Sequence, residues 1–325
     1  MSHIADIRHS LAPELESINA LIIQALSSPN PLINEVTRTY LRHKGKQLRP
    51  MMVMLTARML GAQAVDKAVT SAASIEMLHN ASLIHDDVID QSATRHGVET
   101  INSVWNNHIA VLMGDYFVST ALQLVISTSD LRAISTIATL GRLLASGEMD
   151  QIDTASSHVL SEEAYFNIIT NKTASLFIAC VEMGAYAAYA PDSTIEALRE
   201  FARIFGQCFQ IKDDIFDYFS SEVLGKPTGN DLREGKVTLP LLHALSLSDH
   251  PRCEEMNALI AKGNLNDSEI AELIAYAVET GGILYAEERM KSLRDKAAAV
   301  LRSIVSEEAA KPLLTLLDYI IERDL

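Results

Sequence analysis

Cysteine is scarce in this sequence. The 325 residues contain three, Cys180, Cys208 and Cys253, which lie far apart and form no CxxC pair. Disulfide frameworks and structural zinc sites need cysteines at closer, patterned spacing. The sequence therefore argues against both, and we expect the three thiols to fill core positions in a reducing compartment.

Long uncharged apolar runs and a targeting segment are also missing. No stretch approaches the ~20 uncharged residues of a membrane span. The first residues, MSHIADIRHS, lack a basic segment followed by an apolar one. We expect no membrane span and a cytoplasmic protein.

Positive charge is in short supply, since the formal net charge is −15. Phosphate backbones are bound by basic surfaces, so nucleic acid is excluded as a partner. The segment 36–65 nevertheless has no acidic residue. Five of its basic residues fall within twelve positions: Arg38, Arg42, Lys44, Lys46 and Arg49. The cluster is either a docking point for a small anion or an ordinary solvated helix end.

Proline is absent between Met51 and Ala190, and strand-like alternation is absent throughout. Apolar residues recur instead at helical spacing, and 48% of the residues are hydrophobic. Helix breaks are predicted at 27–31, 43–50, 95–100, 146–148, 188–194, 223–231, 249–252 and 279–282. The sequence therefore predicts an all-α protein: a single-domain bundle of about ten or more helices over residues 1–325, around a central cavity.

Two groups of three aspartates stand in apolar surroundings. The first is Asp86, Asp87 and Asp90 in LIHDDVIDQSATRHG (83–97), and the second is Asp213, Asp214 and Asp217 in GQCFQIKDDIFDYFS (206–220). On a helix these carboxylates share a face and repel one another. Two solvated helix faces would not have such apolar neighbours. An EF-hand-like calcium site would need oxygen ligands at alternate positions and a distal glutamate, which neither group has.

A cation must therefore compensate the carboxylates. Facing one another across a bundle, the two groups would line a cavity suited to hard divalent ions. Mg²⁺ keeps coordination positions open for phosphate oxygens, so a diphosphate ligand follows. Four basic residues could hold the remaining oxygens: Arg95, Lys172, Lys226 and Lys236.

The sequence resembles the trans-prenyltransferases, the all-α polyprenyl diphosphate synthases, over nearly its whole length. The shared motifs are GKQLRP (45–50), EMLHNASLIHDDVID (76–90), RHG (95–97), GDYF (114–117), GEMDQ (147–151), NKTA (171–174), GQCFQIKDDIFD (206–217), GKPTGNDLREGKVTLP (225–240) and YIIER (319–323). The resemblance implies the isoprenoid synthase fold, a homodimer, and condensation of an allylic prenyl diphosphate with successive isopentenyl diphosphates.

The resemblance also assigns roles to residues. The six aspartates would hold Mg²⁺, with Asp86, Asp87, Asp213 and Lys172 as catalytic residues. The allylic diphosphate would be bound by Arg95, Lys172, Lys226 and Lys236. Isopentenyl diphosphate would be bound by Lys46, Arg49 and His79, together with position 96.

Two positions depart from the family pattern. His96 stands where the family usually has an arginine for isopentenyl diphosphate, and Lys44 stands where it often has a glycine. Either His96 binds the diphosphate only when protonated, or Lys44 compensates. His79 could be a core histidine, but its place seven residues before Asp86 favours a ligand. His85 is interpreted as a packing residue or one that supports the aspartates.

Product length is predicted from Ala81 and Ser82. They lie about one helical turn before Asp86, where a growing prenyl tail would pass. In similar enzymes a bulky aromatic there stops growth early, so these small residues predict a medium to long product, heptaprenyl to nonaprenyl. The alternatives are a short-chain farnesyl or geranylgeranyl diphosphate synthase, a terpene cyclase, and a regulatory subunit of a heteromeric synthase. Ala81 could also merely permit close helix packing.

Overall fold

The structure is a computed structural model that describes residues 2–42, 45–95, 97–157, 160–219 and 228–323. Within these ranges it is almost entirely helical. The helices are α1 (Ser2–Ser10), α2 (Ala12–Ala25), α3 (Pro31–Tyr40), α4 (Leu48–Met59), α5 (Val65–Ile89), α6 (Ile101–Val104), α7 (Asn107–Ser127), α8 (Leu131–Ser157), α9 (Glu162–Ile169), a π-helical turn (Thr170–Ala174), α10 (Ser175–Ala187), α11 (Asp192–Phe216), α12 (Asn230–Arg233), α13 (Leu239–Leu245), α14 (Cys253–Lys262), α15 (Asp267–Glu279), α16 (Gly282–Arg302) and α17 (Glu307–Glu322). A short antiparallel ribbon pairs β1 (Thr94–Arg95) with β2 (Val98–Glu99).

The chain forms two compact units. Unit 1 comprises Met1–Arg142, Leu176–Ala202 and Val300–Leu316, and unit 2 comprises Leu143–Ser175, Arg203–Ala299 and Leu317–Leu325. The first aspartate motif belongs to unit 1 and the second to unit 2. The single domain over 1–325 and the cavity between facing motifs stay predictions.

The core of unit 1 is built on α5, which packs mainly against α7, α4 and α2. Small buried side chains on α5, Ala68, Ala72 and Ala73, let neighbouring helices approach closely. A Cβ at Gly184 in α10 would lie 2.6 Å from the Val53 carbonyl oxygen of α4. Glycine is required there because any side chain would force the two helices apart.

The core of unit 2 includes α13, α14 and α15. Tyr276 is fully buried among them, and its hydroxyl donates to the Ala244 carbonyl at 3.1 Å. The start of α15 is fixed by a capping box between Asn266 and Glu269. This cluster packs against the segment 228–242, whose Gly229 backbone N–H donates to the Asp217 carbonyl of the second aspartate motif.

The predicted helix break at 146–148 is wrong. Helix α8 runs through it from Leu131 to Ser157. A Cβ at Gly147 would lie 2.9 Å from the backbone nitrogen of Lys172. Gly147 permits a close packing contact between α8 and the segment around Lys172. In a single sequence, a glycine that ends a helix cannot be told from a glycine that permits close packing.

Helix α7 is long and apolar enough, by length and composition alone, to cross a membrane. It packs closely on α5, and core helices of soluble proteins pass the same test. This one helix is weak support for a span, and the described residues contain no other candidate.

Candidate active site

The first aspartate motif lies at the C-terminal end of α5. Asp86 and Asp87 belong to the last turn, and the Asp90 N–H donates to the Asp86 carbonyl at 2.8 Å. Asp87 is 4% exposed, whereas Asp86 is partly buried and Asp90 is exposed. The motif thus has one interior carboxylate and two that lie nearer the surface of unit 1.

Arg95 holds the interior carboxylate. Its Nε donates to Asp87 Oδ1 at 2.8 Å. Arg95 is placed by the ribbon, where it pairs with Val98, and by the Thr100 hydroxyl, which donates to the Ser92 carbonyl at 2.7 Å. The predicted phosphate ligand Arg95 therefore also supplies the positive charge that the buried aspartate requires.

His85 packs against α7. A Cβ at Gly114 would lie 2.2 Å from His85 Nε2. The same nitrogen lies 3.3 Å from the Val111 carbonyl oxygen and 3.5 Å from Asp115 Oδ1. The packing interpretation of His85 is confirmed, and the ring joins the aspartate-bearing end of α5 to α7.

Buried ionisable groups lie beneath the first motif, in unit 1. Burial lowers the pKa of His79 well below its usual range, and the charges of Arg49 and Arg95 lower it further. Burial also raises the pKa of Glu76, against the opposing charge of Arg49. The Arg49 guanidinium lies 5.3 Å from the centre of the Phe177 ring. Among the described residues, His79 Nδ1 has no hydrogen-bond partner. Arg49 is thus close to both His79 and the buried Glu76, and Arg95 is close to His79.

Lys46 lies in the exposed loop before α4. Arg8 braces the loop by donating to the carbonyls of Gly45 and Lys46, each at 3.2 Å. Gln47 adopts a left-handed conformation (φ 55°), and its side chain donates to Asn19 Oδ1 at 2.9 Å. Sequence reasoning missed Arg8, because nothing in the N-terminal residues marks it as a partner of a loop 37 residues away.

Ala81 is fully buried in α5, and Ser82 is partly buried. The Ser82 hydroxyl donates to the His79 carbonyl of its own helix at 2.8 Å. That bond satisfies the only polar group of the pair. Their part in setting product length stays a prediction.

The second aspartate motif lies at the C-terminal end of α11. Tyr165 donates to Asp214 Oδ2 at 2.6 Å, and Gln210 donates to Oδ1 at 2.8 Å. Asp214 is 3% exposed. Burial and the nearby carboxylates of Asp231 and Asp213 raise its pKa well above the usual range. As in the first motif, the middle aspartate is interior and held by donors.

The other two aspartates of this motif have different partners. Asp217 accepts from the backbone N–H groups of Asn230 and Asp231, each at 3.0 Å, and so holds the start of α12. Asp213 accepts from Arg323 at 2.5 Å, and its side chain is 40% exposed. Asp213 is therefore partly accessible to solvent, and Asp217 has a structural role.

Lys172 projects from the π-helical turn. It forms an ion pair with Glu148 and donates to Gln151 Oε1 at 3.3 Å. A Cβ at Gly206 of α11 would lie 2.3 Å from Ala174 Cα, so the turn is pressed between α8 and α11. Such π-helical insertions are frequent at functional sites.

Thr173 and Lys236 lie near the same groups. The Thr173 hydroxyl donates to Gln210 Oε1 at 2.8 Å. The Lys236 ammonium is paired with Glu234, and the Lys236 backbone N–H donates to the Asp231 carbonyl at 2.8 Å. Lys172 and Lys236, the two predicted phosphate-binding lysines in the described residues, thus lie on segments that contact residues around the second aspartate motif.

A cavity of about 170 Å³ opens among these residues, wholly within unit 2. Its polar lining includes Tyr165, Lys172, Gln210, Asp214, Asp231 and Lys236, and its apolar lining includes Leu160, Ile168, Ile169, Val237, Leu242 and Ile260. Carboxylates and lysines therefore lie beside a hydrophobic wall in this cavity.

Several sequence predictions fall elsewhere or stay open. His96, Lys226 and Lys44 lie outside the described residues. Within the described residues, no three His, Cys, Asp or Glu side chains are grouped as metal ligands. The ligand roles of the six aspartates stay predictions.

The sequence reading missed Tyr165, Asp231 and Arg323 as site residues. Tyr165 precedes Lys172 by seven residues, a helical spacing that could have suggested a shared face. Asp231 and Arg323 stand in shared motifs, but nothing in the sequence indicated which aspartates they approach.

Comparison with known proteins supplies a family. The family model described as Polyprenyl synthetase matches residues 30–277. The chain belongs to the polyprenyl synthetase family. It is 33% identical to an octaprenyl diphosphate synthase of Haemophilus influenzae, over 99% of this chain and 97% of that protein.

Solved structures of polyprenyl synthetases agree. A decaprenyl diphosphate synthase from Rhodobacter capsulatus has a TM-score of 0.91 at 33% identity, covering 99% of this chain and 100% of the other. A geranylgeranyl pyrophosphate synthase from Bacteroides thetaiotaomicron has a TM-score of 0.84 at 35% identity, with coverage of 99% and 100%. The predicted family, all-α fold class and prenyltransferase activity are confirmed.

Proposed function

We propose that this polyprenyl synthetase extends an allylic prenyl diphosphate with successive isopentenyl diphosphates to a heptaprenyl to nonaprenyl diphosphate, using Mg²⁺. The observation that carries the proposal is the parallel construction of the two aspartate motifs. Each ends a long helix, and each has a buried middle aspartate held by a donor of its own unit: Arg95 for Asp87, and Tyr165 for Asp214.

The residues fit a hard divalent cation. The donors are carboxylate oxygens without thiolate or imidazole partners, the set that suits Mg²⁺. Burial raises the pKa of Asp214, and so does repulsion from the carboxylate of Asp231, which a bound cation would relieve. Asp86, Asp90 and Asp213 are at least partly exposed to solvent and would hold the metal directly. Asp87, Asp214 and Asp217 would complete the ligand set.

When bound, Mg²⁺ would act as a Lewis acid toward the diphosphate. The chain's own cations, Arg95, Lys172 and Lys236, would donate to phosphate oxygens as the carbon–oxygen bond breaks and negative charge grows. Arg49, Lys46 and the neutral His79 would hold isopentenyl diphosphate. Its double bond would attack the allylic carbocation, and the condensed cation would then lose a proton to the released diphosphate. The apolar wall of the unit 2 cavity would keep water from quenching the cation.

Product length rests on Ala81 and Ser82. Both are small, and the Ser82 hydroxyl is satisfied within its own helix, so neither would block a prenyl tail. The names of the octaprenyl and decaprenyl diphosphate synthases to which the chain is similar support a long product. A short-chain product is the second candidate, because the chain is also similar to a geranylgeranyl pyrophosphate synthase of known structure.

A cytoplasmic homodimer completes the proposal. Helix α7 exposes Val111, Leu112 and Ile126, at 41%, 64% and 57%. These side chains recur along one face of the helix and would be covered by a second copy. Light scattering coupled to gel filtration measures the mass; a monomer at micromolar concentration would contradict this part.

The function is tested with the purified chain, an allylic diphosphate, labelled isopentenyl diphosphate and Mg²⁺, followed by chromatographic sizing of the products. We expect elongated prenyl chains in the heptaprenyl to nonaprenyl range. Hydrocarbon would indicate a terpene cyclase, and no product at all a regulatory subunit. Product no longer than geranylgeranyl diphosphate would establish the short-chain alternative.

A further inference from the structure

The C-terminal helix brings a cation to the second aspartate motif. Arg323 directly follows α17, and its N–H donates to the Tyr319 carbonyl at 3.0 Å. Its Nη2 donates to Asp213 Oδ1 at 2.5 Å and to the Phe209 carbonyl at 3.3 Å. The contact joins residues 110 positions apart in the chain.

The guanidinium is fixed in place. Its carbon lies 4.6 Å from the centre of the Phe209 ring and 5.4 Å from that of Phe216, and the side chain is only 10% exposed. Arginine stacked on aromatic faces gains cation–π attraction, more so when it is desolvated. Arg323 is thus held by two rings, a carbonyl and a carboxylate.

Several carboxylates lie near this contact, together with the Lys212 ammonium, which is 5.0 Å from the centre of the Phe216 ring. Asp214 lies next to Asp213 in the chain, Asp217 is one helical turn further on, and Asp231 lies close enough to Asp214 to raise its pKa. Arg323 supplies positive charge at the partly exposed member of this group. The 40% exposure of Asp213 leaves part of its carboxylate accessible from solvent.

We propose that Arg323 is a built-in counter-cation of Asp213, which stabilises the second aspartate motif without metal and weakens its affinity for divalent cations. The inference rests on the proposed assignment of Asp213 to the metal. A fixed positive charge beside one carboxylate oxygen offsets the repulsion among the aspartates and repels an incoming ion. Because coupling is reciprocal, a bound metal would loosen the Arg323 contact to the same extent.

The test uses the full chain without substrates and Mn²⁺ as a carboxylate-binding probe, titrated by calorimetry and by electron paramagnetic resonance. Arg323→Gln and Arg323→Met both remove the charge, and the Met variant keeps an apolar stem against the two phenylalanines. We expect each to bind Mn²⁺ at least about fivefold more tightly. We also expect each to melt at a lower temperature without metal. Arg323→Lys, which keeps the charge, should bind Mn²⁺ like the wild type.

Two controls separate the possible failures. Arg294→Gln removes ion pairs with Asp295 and with Asp318 of α17. In the part of the chain that the structure describes, Arg294 contacts neither aspartate motif, so this variant should lower the melting temperature and leave Mn²⁺ affinity unchanged. Asp213→Asn should remove the site. If Asp213→Asn binds Mn²⁺ like the wild type, the metal assignment in the proposed function is wrong. If that variant loses the site while both neutral Arg323 variants bind no more tightly than the wild type, the counter-cation inference alone is overturned.

Discussion

Replacing Tyr165 with phenylalanine removes one hydroxyl and deprives a buried carboxylate oxygen of its donor. Tyr165 is 7% exposed and Asp214 is 3% exposed, and the bond between them measures 2.6 Å. Gln210 would remain on the other oxygen. Leaving a buried polar oxygen without its hydrogen-bond partner costs about 1–3 kcal/mol, so we expect the free energy of unfolding to fall by about 2 kcal/mol.

Tyr218→Phe is the matched control. Tyr218 is equally buried in unit 2, but its hydroxyl lies 3.2 Å from the neutral hydroxyl of Thr238. Losing that bond should cost about 1 kcal/mol. Urea denaturation in metal-free buffer, followed by circular dichroism, measures both variants. The reasoning is refuted if the Tyr165 variant loses no more stability than the Tyr218 variant.

A kinetic measurement tests whether the Tyr165–Asp214 hydrogen bond also affects catalysis. The predicted isopentenyl diphosphate ligands Lys46, Arg49 and His79 belong to unit 1, whereas Tyr165 supports the second motif in unit 2. We therefore expect Tyr165→Phe to lower kcat and leave KM for isopentenyl diphosphate unchanged. An effect confined to KM would contradict the assignment.

Three further predictions concern other parts of the chain. Ala81→Phe should shorten the products with turnover retained; a less stable protein with unchanged products would make Ala81 a packing residue. The folded-state pKa of His79 is lowered by burial. The stability that neutral His79 contributes is therefore fully present above the unfolded-state pKa near 6.5 and is lost as the pH falls, by up to about 1.4 kcal/mol per pH unit. His79→Gln should flatten that loss in urea titrations between about pH 6.5 and 5. Gly206→Ala should destabilise the protein by about 1–3 kcal/mol, because the new Cβ would lie 2.3 Å from Ala174 Cα. Gly141→Ala, whose new Cβ would meet no atom within 4 Å, should instead stabilise the protein by about 0.5–1 kcal/mol. Thermal melts measure both variants.

The sequence alone was sufficient for the helical class, the family and the positions of both aspartate motifs. These features are local: helical periodicity and ordered short motifs are visible within a few turns of chain. The same reading failed at Gly147, because the contact that requires a glycine there comes from Lys172, on another element.

Tertiary structure alone decided which carboxylates are interior and which donors hold them. Asp86 and Asp87 are neighbours with the same side chain, yet Asp87 is buried on Arg95 while Asp86 lies nearer the surface. The partners of the second motif, Tyr165 and Arg323, lie 49 and 110 residues from the aspartates that they contact. Such pairs form because folding brings distant helices together, and a single sequence carries no local signal of which distant donor will meet a given carboxylate.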